Sequence, residues 1–342
     1  FSSDGDEKKK KIFFLTNRHT QHKIAVDTLK LIKEKKGQQI TCVDLIGKRW
    51  MCNQEIAGLF GNDFNEFCKS VVEKGECEFF NNVKSGQKLT VEAKVLLKNL
   101  KVDGPLHNEE LITECKKEKR CSYEMSIALS KDADVIIGDY YYLFNPYVQN
   151  ALFNKMDLEM EDVILIVDEG HNLPNRVMDM LSSNLTTNML KNGILEAKKF
   201  HFKGMIFWLQ ELTRILVSLA DFKDDDRSKE KLVTKDSFLT ELKKVVNYDE
   251  LIDELEQAAE EIRKKQRRSY LGGISSFLES WRGDDEGYLR SISDRTNKYG
   301  PLITLSYSCL DPQLITGSVF ERVHSAIIMS GTLNPTSMYR DV

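Results

Sequence analysis

The chain has 342 residues, 41% of them apolar and 30% charged, with a formal net charge of −4. This length favours two or three structural units, no apolar run approaches the roughly 20 residues of a membrane helix, and the near-neutral charge excludes a uniformly basic nucleic-acid binder, so any such contact must be local. Seven cysteines, at positions 42, 52, 68, 77, 115, 121 and 309, are an odd number for a disulfide framework, and six of them fall between 42 and 121, which points to a metal or cluster site. The opening segment, Phe1 to Lys11, holds no apolar signal core, so the expectation is an intracellular chain in reducing surroundings.

Ile12 to Thr16 predicts a strand, Asn17 to Thr20 a loop, and the spacing of Ile24, Leu29, Leu31 and Ile32 a helix that Gly37 ends. Ile40 to Ile46 predicts a second strand, so the chain opens as an α/β unit with a parallel sheet. From about Trp50 to Cys121 polar stretches, glycines and cysteines replace clean periodicity, which marks an insert. Strands resume at Ala133 to Gly138 and at Val163 to Val167, the latter ending in Asp168-Glu169. Between Pro174 and about Gly300 the spacing predicts long helices, such as Leu251 to Arg263, with a charged break at Asp224 to Glu230. Leu302 to Tyr307 and Ala326 to Met329 predict two last strands of the sheet.

The residues that carry chemistry sit at these strand ends. Adjacent carboxylates at the carboxyl end of a buried strand stand where an open α/β sheet binds ligands; one acid can hold Mg²⁺ and its neighbour can orient an attacking water. An exposed acidic loop is the plain alternative. Cys52, Cys68, Cys77 and Cys121 are separated by 15, 8 and 43 residues, a spacing unlike paired Cys-x-x-Cys zinc knuckles and suited to a [4Fe–4S] cluster, or else to buried reduced thiols. Arg18 and Thr20, in another strand-to-helix loop, have the chemistry to contact phosphates. Tyr140 and Tyr142 offer flat rings on which single-stranded bases stack, and Arg267 and Tyr270 lie in a basic, aromatic stretch able to follow a DNA strand or simply to end a helix in solvent.

Val163-Ile-Leu-Ile-Val-Asp-Glu-Gly-His171 resembles the DEAH box of superfamily-two helicases in the XPD-type iron–sulfur branch, with Gly170 where that family usually has Ala. Ser330-Gly-Thr-Leu-Asn-Pro335 resembles the motif that couples nucleotide state to nucleic-acid grip, and Phe14 to Gln21 the motif that holds the DNA backbone. The surroundings of Cys52, Cys77 and Cys121 resemble those of the family's cluster ligands; Ser122 replaces the usual proline after the last ligand, and Cys115 competes for that fourth place. Cys42 is expected in the core and Cys309 as structural.

The resemblance implies a partial RecA-like motor domain over residues 1–48, 126–175 and 301–342, an iron–sulfur insert over 49–125 and a mainly helical arch over 176–300. It implies an ATP-dependent helicase moving 5′ to 3′ on single-stranded DNA, acting on forked DNA in nucleotide excision repair. The implied cofactors are ATP, Mg²⁺ and the [4Fe–4S] cluster. Hydrolysis then falls to Asp168 and Glu169, with coupling by His171, Ser330 and Thr332. Repair or transcription-complex proteins would dock on the arch, with no membrane involved, in the cytoplasm of an archaeon or the nucleus of a eukaryote. The Gly-x-x-x-x-Gly-Lys-Ser/Thr phosphate loop is absent from the sequence, which puts Phe1 just after the motor's first helix, Val342 just before its second domain, and the chain's own ATPase activity near zero. The rival reading is a metal-bearing nucleic-acid-binding or partner-docking module without a motor.

Overall fold

Five short apolar runs assemble into one parallel sheet: β1 (Lys11–Leu15), β2 (Cys42–Asp44), β3 (Val135–Gly138), β4 (Val163–Asp168) and β5 (Ser325–Met329), in the order β5-β4-β1-β3-β2. This computed structural model describes residues 9–54, 61–222, 229–266, 269–297 and 300–334, with Ser337 and Tyr339. Phe13, Leu15, Ile136, Leu165 and Val167 have no exposed surface, each contributing about 1.5–3 kcal/mol on burial. The helix His19–Lys36 follows β1 and stops at Gly37, whose φ of 64° lets its N–H reach the Lys33 carbonyl at 3.0 Å. Val26 of that helix packs with Cys42, Val135 and Ile137, so Cys42 is a core residue.

The chain divides into two compact units, the first comprising residues 1–58, 68–177 and 312–342 and the second 59–67 and 178–311. The second contains the expected helices, among them Thr187–Lys199, Lys203–Leu219, Tyr248–Arg263 and Tyr270–Trp281. Along Tyr248–Arg263 the buried positions Leu251, Ile252, Leu255, Ala258, Ala259 and Ile262 form one apolar stripe.

The second unit is mainly helical, and it also carries a four-stranded antiparallel sheet in the order Ser183–Thr186, Gly300–Cys309, Tyr288–Asn297, Glu230–Leu232. One expectation about this part of the chain needs correction. The strand predicted at Leu302 to Tyr307 forms within that sheet and not in the parallel one, so the return to the first unit lies at Pro312 and not at 301. The reason is the alternation of buried Ile303, Leu305 and Tyr307 with Thr304 and Ser306, the pattern of an antiparallel strand with one wet face.

Candidate functional site

Because β1, β3, β4 and β5 run parallel, their carboxyl ends share one edge of the first unit, where such sheets bind ligands. Asp168 ends β4, and Glu169 then adopts a left-handed φ of 52° before the short turn Gly170–Asn172. The turn swings the Glu169 side chain back over the edge. There its Oε1 accepts from Gln21 Nε2 at 3.1 Å and its Oε2 from the Ser330 hydroxyl at 3.3 Å. His171 Nδ1 lies 2.7 Å from Ser330 Oγ and 3.3 Å from Glu169 Oε2. Asp168 Oδ1 accepts the Glu169 N–H at 2.9 Å. Burial and the Glu169 charge push the Asp168 carboxyl above its usual range, opposed by hydrogen bonds from the Glu169 N–H and the Thr16 hydroxyl.

Thr332 lies further out: its hydroxyl is 3.3 Å from Ser330 Oγ, and its N–H donates to that oxygen. It therefore reaches the acidic turn through Ser330. Gln21 and Thr16, both within the Phe14 to Gln21 segment, hydrogen-bond each other and tie the acidic turn to the loop holding Arg18 and Thr20. Both of those residues are exposed at the start of helix His19–Lys36.

Gly170 is packed against β5. A Cβ there would stand 2.3 Å from Ile328 Cγ2, so Ile328 occupies the space an alanine methyl needs.

The tyrosines require a correction. Tyr140 and Tyr142 are 0% and 6% exposed and therefore offer no stacking face. The Tyr140 hydroxyl donates to the Asp168 and Glu169 carbonyls, and that of Tyr142 to the Ile46 carbonyl at 2.8 Å. The tyrosines brace the acidic turn and the start of the cysteine region, and burial drives both phenols well above their usual range. Tyr141, between them, is 41% exposed. In the second unit Tyr270 opens the helix Tyr270–Trp281 and lines a polar cavity of 430 Å³ with Arg263 and Asn192. Arg267 lies outside the described residues.

The cysteine-bearing segments of the first unit converge. Burial first, and less strongly the charges of Cys68 and Cys77, raise the thiols of both Cys52 and Cys121, whereas Cys115 hydrogen-bonds Ser122. Asn53 Nδ2 donates to the Arg120 carbonyl at 2.8 Å and to Ser122 Oγ at 2.9 Å. The Cys121 N–H donates to the Phe79 carbonyl, and Arg120 Nη1 to the Asn82 carbonyl. Serine in place of proline after Cys121 thus supplies a contact of its own. Burial pushes the Cys121 thiol up to about 12 and raises that of Cys52 as well, so these thiols stay protonated at neutral pH unless a metal displaces the proton.

Among the described residues no group of three or more His, Cys, Asp or Glu side chains is arranged for one metal ion. A single zinc would need its sulfurs about 2.3 Å away, whereas a cubane spreads four thiolates more widely. The donor set is four thiols, of which Cys52, Cys77 and Cys121 stand on segments tied by hydrogen bonds, and thiol donors are the chemistry a cubane would take.

One further cluster escaped sequence reasoning. His22 and Asp44, 0% and 1% exposed, meet at 2.6 Å, and Asp44 Oδ2 also accepts from the Asn108 backbone and side chain at 3.0 and 2.6 Å. This joins the helix after β1 to β2 and to the start of helix Asn108–Lys117.

The DEAD_2 family model matches residues 14–190, just over half of the chain. The chain is 24% identical over 295 residues to the General transcription and DNA repair factor IIH helicase subunit XPD/RAD3 of Saccharomyces cerevisiae, covering 68% of this chain and 37% of that protein. It is 23% identical over 326 residues to the corresponding XPD subunit of Dictyostelium discoideum, covering 77% and 40%. It thus spans about two fifths of the length of these relatives. A solved structure titled XPD_Helicase superposes over 98% of this chain and 52% of its own with a TM-score of 0.61 at 19% identity. One titled Truncated XPD does so over 98% and 85%, with a TM-score of 0.59 at 20% identity; at such identities the likeness concerns fold. The α/β parallel sheet accords with that fold, and the family-model match over just over half of its length shows that the chain belongs to the DEAD_2 family.

Proposed function

We propose that this chain is part of an ATP-dependent DNA helicase that moves 5′ to 3′ on single strands and opens forked DNA in nucleotide excision repair. The observation that carries the reading is the hydrogen-bonded set Asp168, Glu169, His171, Ser330 and Gln21 at one edge of a parallel sheet. ATP with Mg²⁺ supplies the phosphoryl group and its charge neutralisation when bound. Asp168 would hold the ion, and Glu169 would orient the attacking water and take its proton as the water oxygen bonds the γ-phosphorus and ADP leaves. Glu169 can change partners, since Gln21 and Ser330 each hold one of its oxygens. Releasing either partner would transmit the state of the acid to the Arg18–Thr20 loop, where exposed Arg18 and Thr20 would grip the DNA backbone, or to Thr332 through Ser330.

The motor requires a phosphate loop that this sequence does not contain. The exposed flank of β5, where Ile327 and Met329 are 55% and 39% exposed, and a 480 Å³ groove lined by Phe14, Leu29, Ile137, Asp168 and Glu169 are the surfaces such a segment would cover. The chain alone would then turn over little or no ATP.

Within the same reading, Cys52, Cys68, Cys77 and Cys121 hold a [4Fe–4S] cluster that stiffens residues 49–125. The second unit is the arch, with Tyr270 and Arg267 as DNA contacts and a surface for repair or transcription-complex proteins. The setting is intracellular; among the described residues no helix is long and apolar enough to cross a membrane.

The test is strand separation by a protein carrying this chain together with a phosphate-loop segment and a second motor domain. Forks with a 5′ single-stranded tail are expected to open with ATP, and forks with only a 3′ tail to stay closed. Opening of the 3′-tailed fork alone would reverse the polarity, and ATP-independent binding without opening would favour a module without a motor.

A further inference from the structure

Among the described residues of the cysteine region, Gln54 touches two of the thiols. The Gln54 backbone N–H donates to the Cys52 sulfur, and its side-chain Nε2 lies 3.0 Å from Cys77 Sγ. Cys52 and Cys77 belong to different segments, and Cys77 is only 7% exposed, so water is a poor substitute for the amide. The neighbouring Asn53 faces elsewhere, toward the Arg120 carbonyl and Ser122 Oγ, whereas the backbone and the side chain of Gln54 both face sulfur.

A thiolate that binds iron carries charge it must share, and N–H donors to the sulfurs stabilise the more negative, reduced state of a cluster. We propose that Gln54 is a positioning residue for the [4Fe–4S] cluster: it clamps the Cys52 and Cys77 thiolates together and raises the cluster's reduction potential. This rests on the cluster reading above, and nothing in the sequence pattern singles out an amide two residues after a cysteine.

The test compares anaerobically purified protein with its Gln54→Leu and Gln54→Glu variants. It reads iron and sulfide content, the potential from film voltammetry, with the electrode supplying the single electron, and the rate of iron loss to a chelator. Leucine removes the side-chain donor; glutamate keeps the shape and replaces the donor with a charged acceptor, so it serves even where leucine prevents folding. Both variants are expected to shift the potential in the negative direction, by roughly tenfold in the reduction constant or about 59 mV for one electron, further for glutamate, and to lose iron several-fold faster. Unchanged potential and iron loss in both variants would overturn the role of Gln54. A wild type without iron and sulfide would overturn the cluster reading beneath it, an outcome distinct from a loaded wild type whose variants do not move.

Discussion

At the carboxyl edge of the parallel sheet, Asp168, Glu169, His171 and Ser330 stand at the ends of strands, and the acids follow a strand whose inward residues are fully buried. Cys52, Cys77 and Cys121 instead stand just outside regular elements, on segments tied by bonds such as Asn53 to Arg120 and Cys121 to Phe79. The first region is preorganised by a core that exists without any ligand. The second has thiols that burial keeps protonated, and under the proposed cluster its order would depend on what those thiols hold.

The largest effect expected from this contrast follows removal of the proposed cluster. Chelation, or Cys77→Ser, should expose amides of residues 49–125 to hydrogen exchange while those of β1, β3 and β4 stay protected. Simultaneous loss of protection in both regions would show that the sheet depends on the metal as well. Next in size is Asp44→Ala, which strips the buried partner from His22 and Asn108 and should cost about 3–5 kcal/mol in chemical denaturation. A loss under about 1 kcal/mol would mean that solvent reaches the pair.

Gly170→Ala comes third. The new methyl meets Ile328 Cγ2, a clash expected to cost about 1–3 kcal/mol. Combination with Ile328→Ala should be less harmful than the sum of the single changes, because the two side chains compete for one space; strict additivity would deny that contact. The smallest stability effect belongs to Ser330→Ala, about 1 kcal/mol or less for a partly exposed hydrogen bond. In a protein joining this chain to a phosphate-loop segment and a second motor domain, its signature would be weakened DNA stimulation of ATP hydrolysis with little change in melting.

The same contrast explains what could be read in advance. The acidic turn was legible because a continuous apolar run, Val163 to Val167, delivers Asp168 and Glu169 to a sheet edge whatever surrounds it. Ser330 was legible for the same reason at the end of β5. Tyr140 and Tyr142 were not, since a tyrosine-rich run after a strand looks alike whether its rings face bases or pack inward with hydroxyls on backbone carbonyls. The sheet that Leu302 to Tyr307 joins was signalled by the alternation of Thr304 and Ser306 with apolar residues, a cue for an antiparallel partner that a list of apolar runs overlooks. Gln54 left no trace, because an amide gains its role only from the partner that folding brings to it, and His22 with Asp44, 22 residues apart, went unseen for the same reason.

The central claim is that Asp168 and Glu169 hydrolyse ATP in step with DNA binding. The most direct measurement is DNA-stimulated ATP turnover by a protein joining this chain to a phosphate-loop segment and a second motor domain, compared with its Glu169→Gln variant at matched nucleotide affinity. The account predicts that the variant binds nucleotide and melts like the parent but turns over about 10²–10⁴-fold more slowly; turnover within twofold of the parent would contradict it.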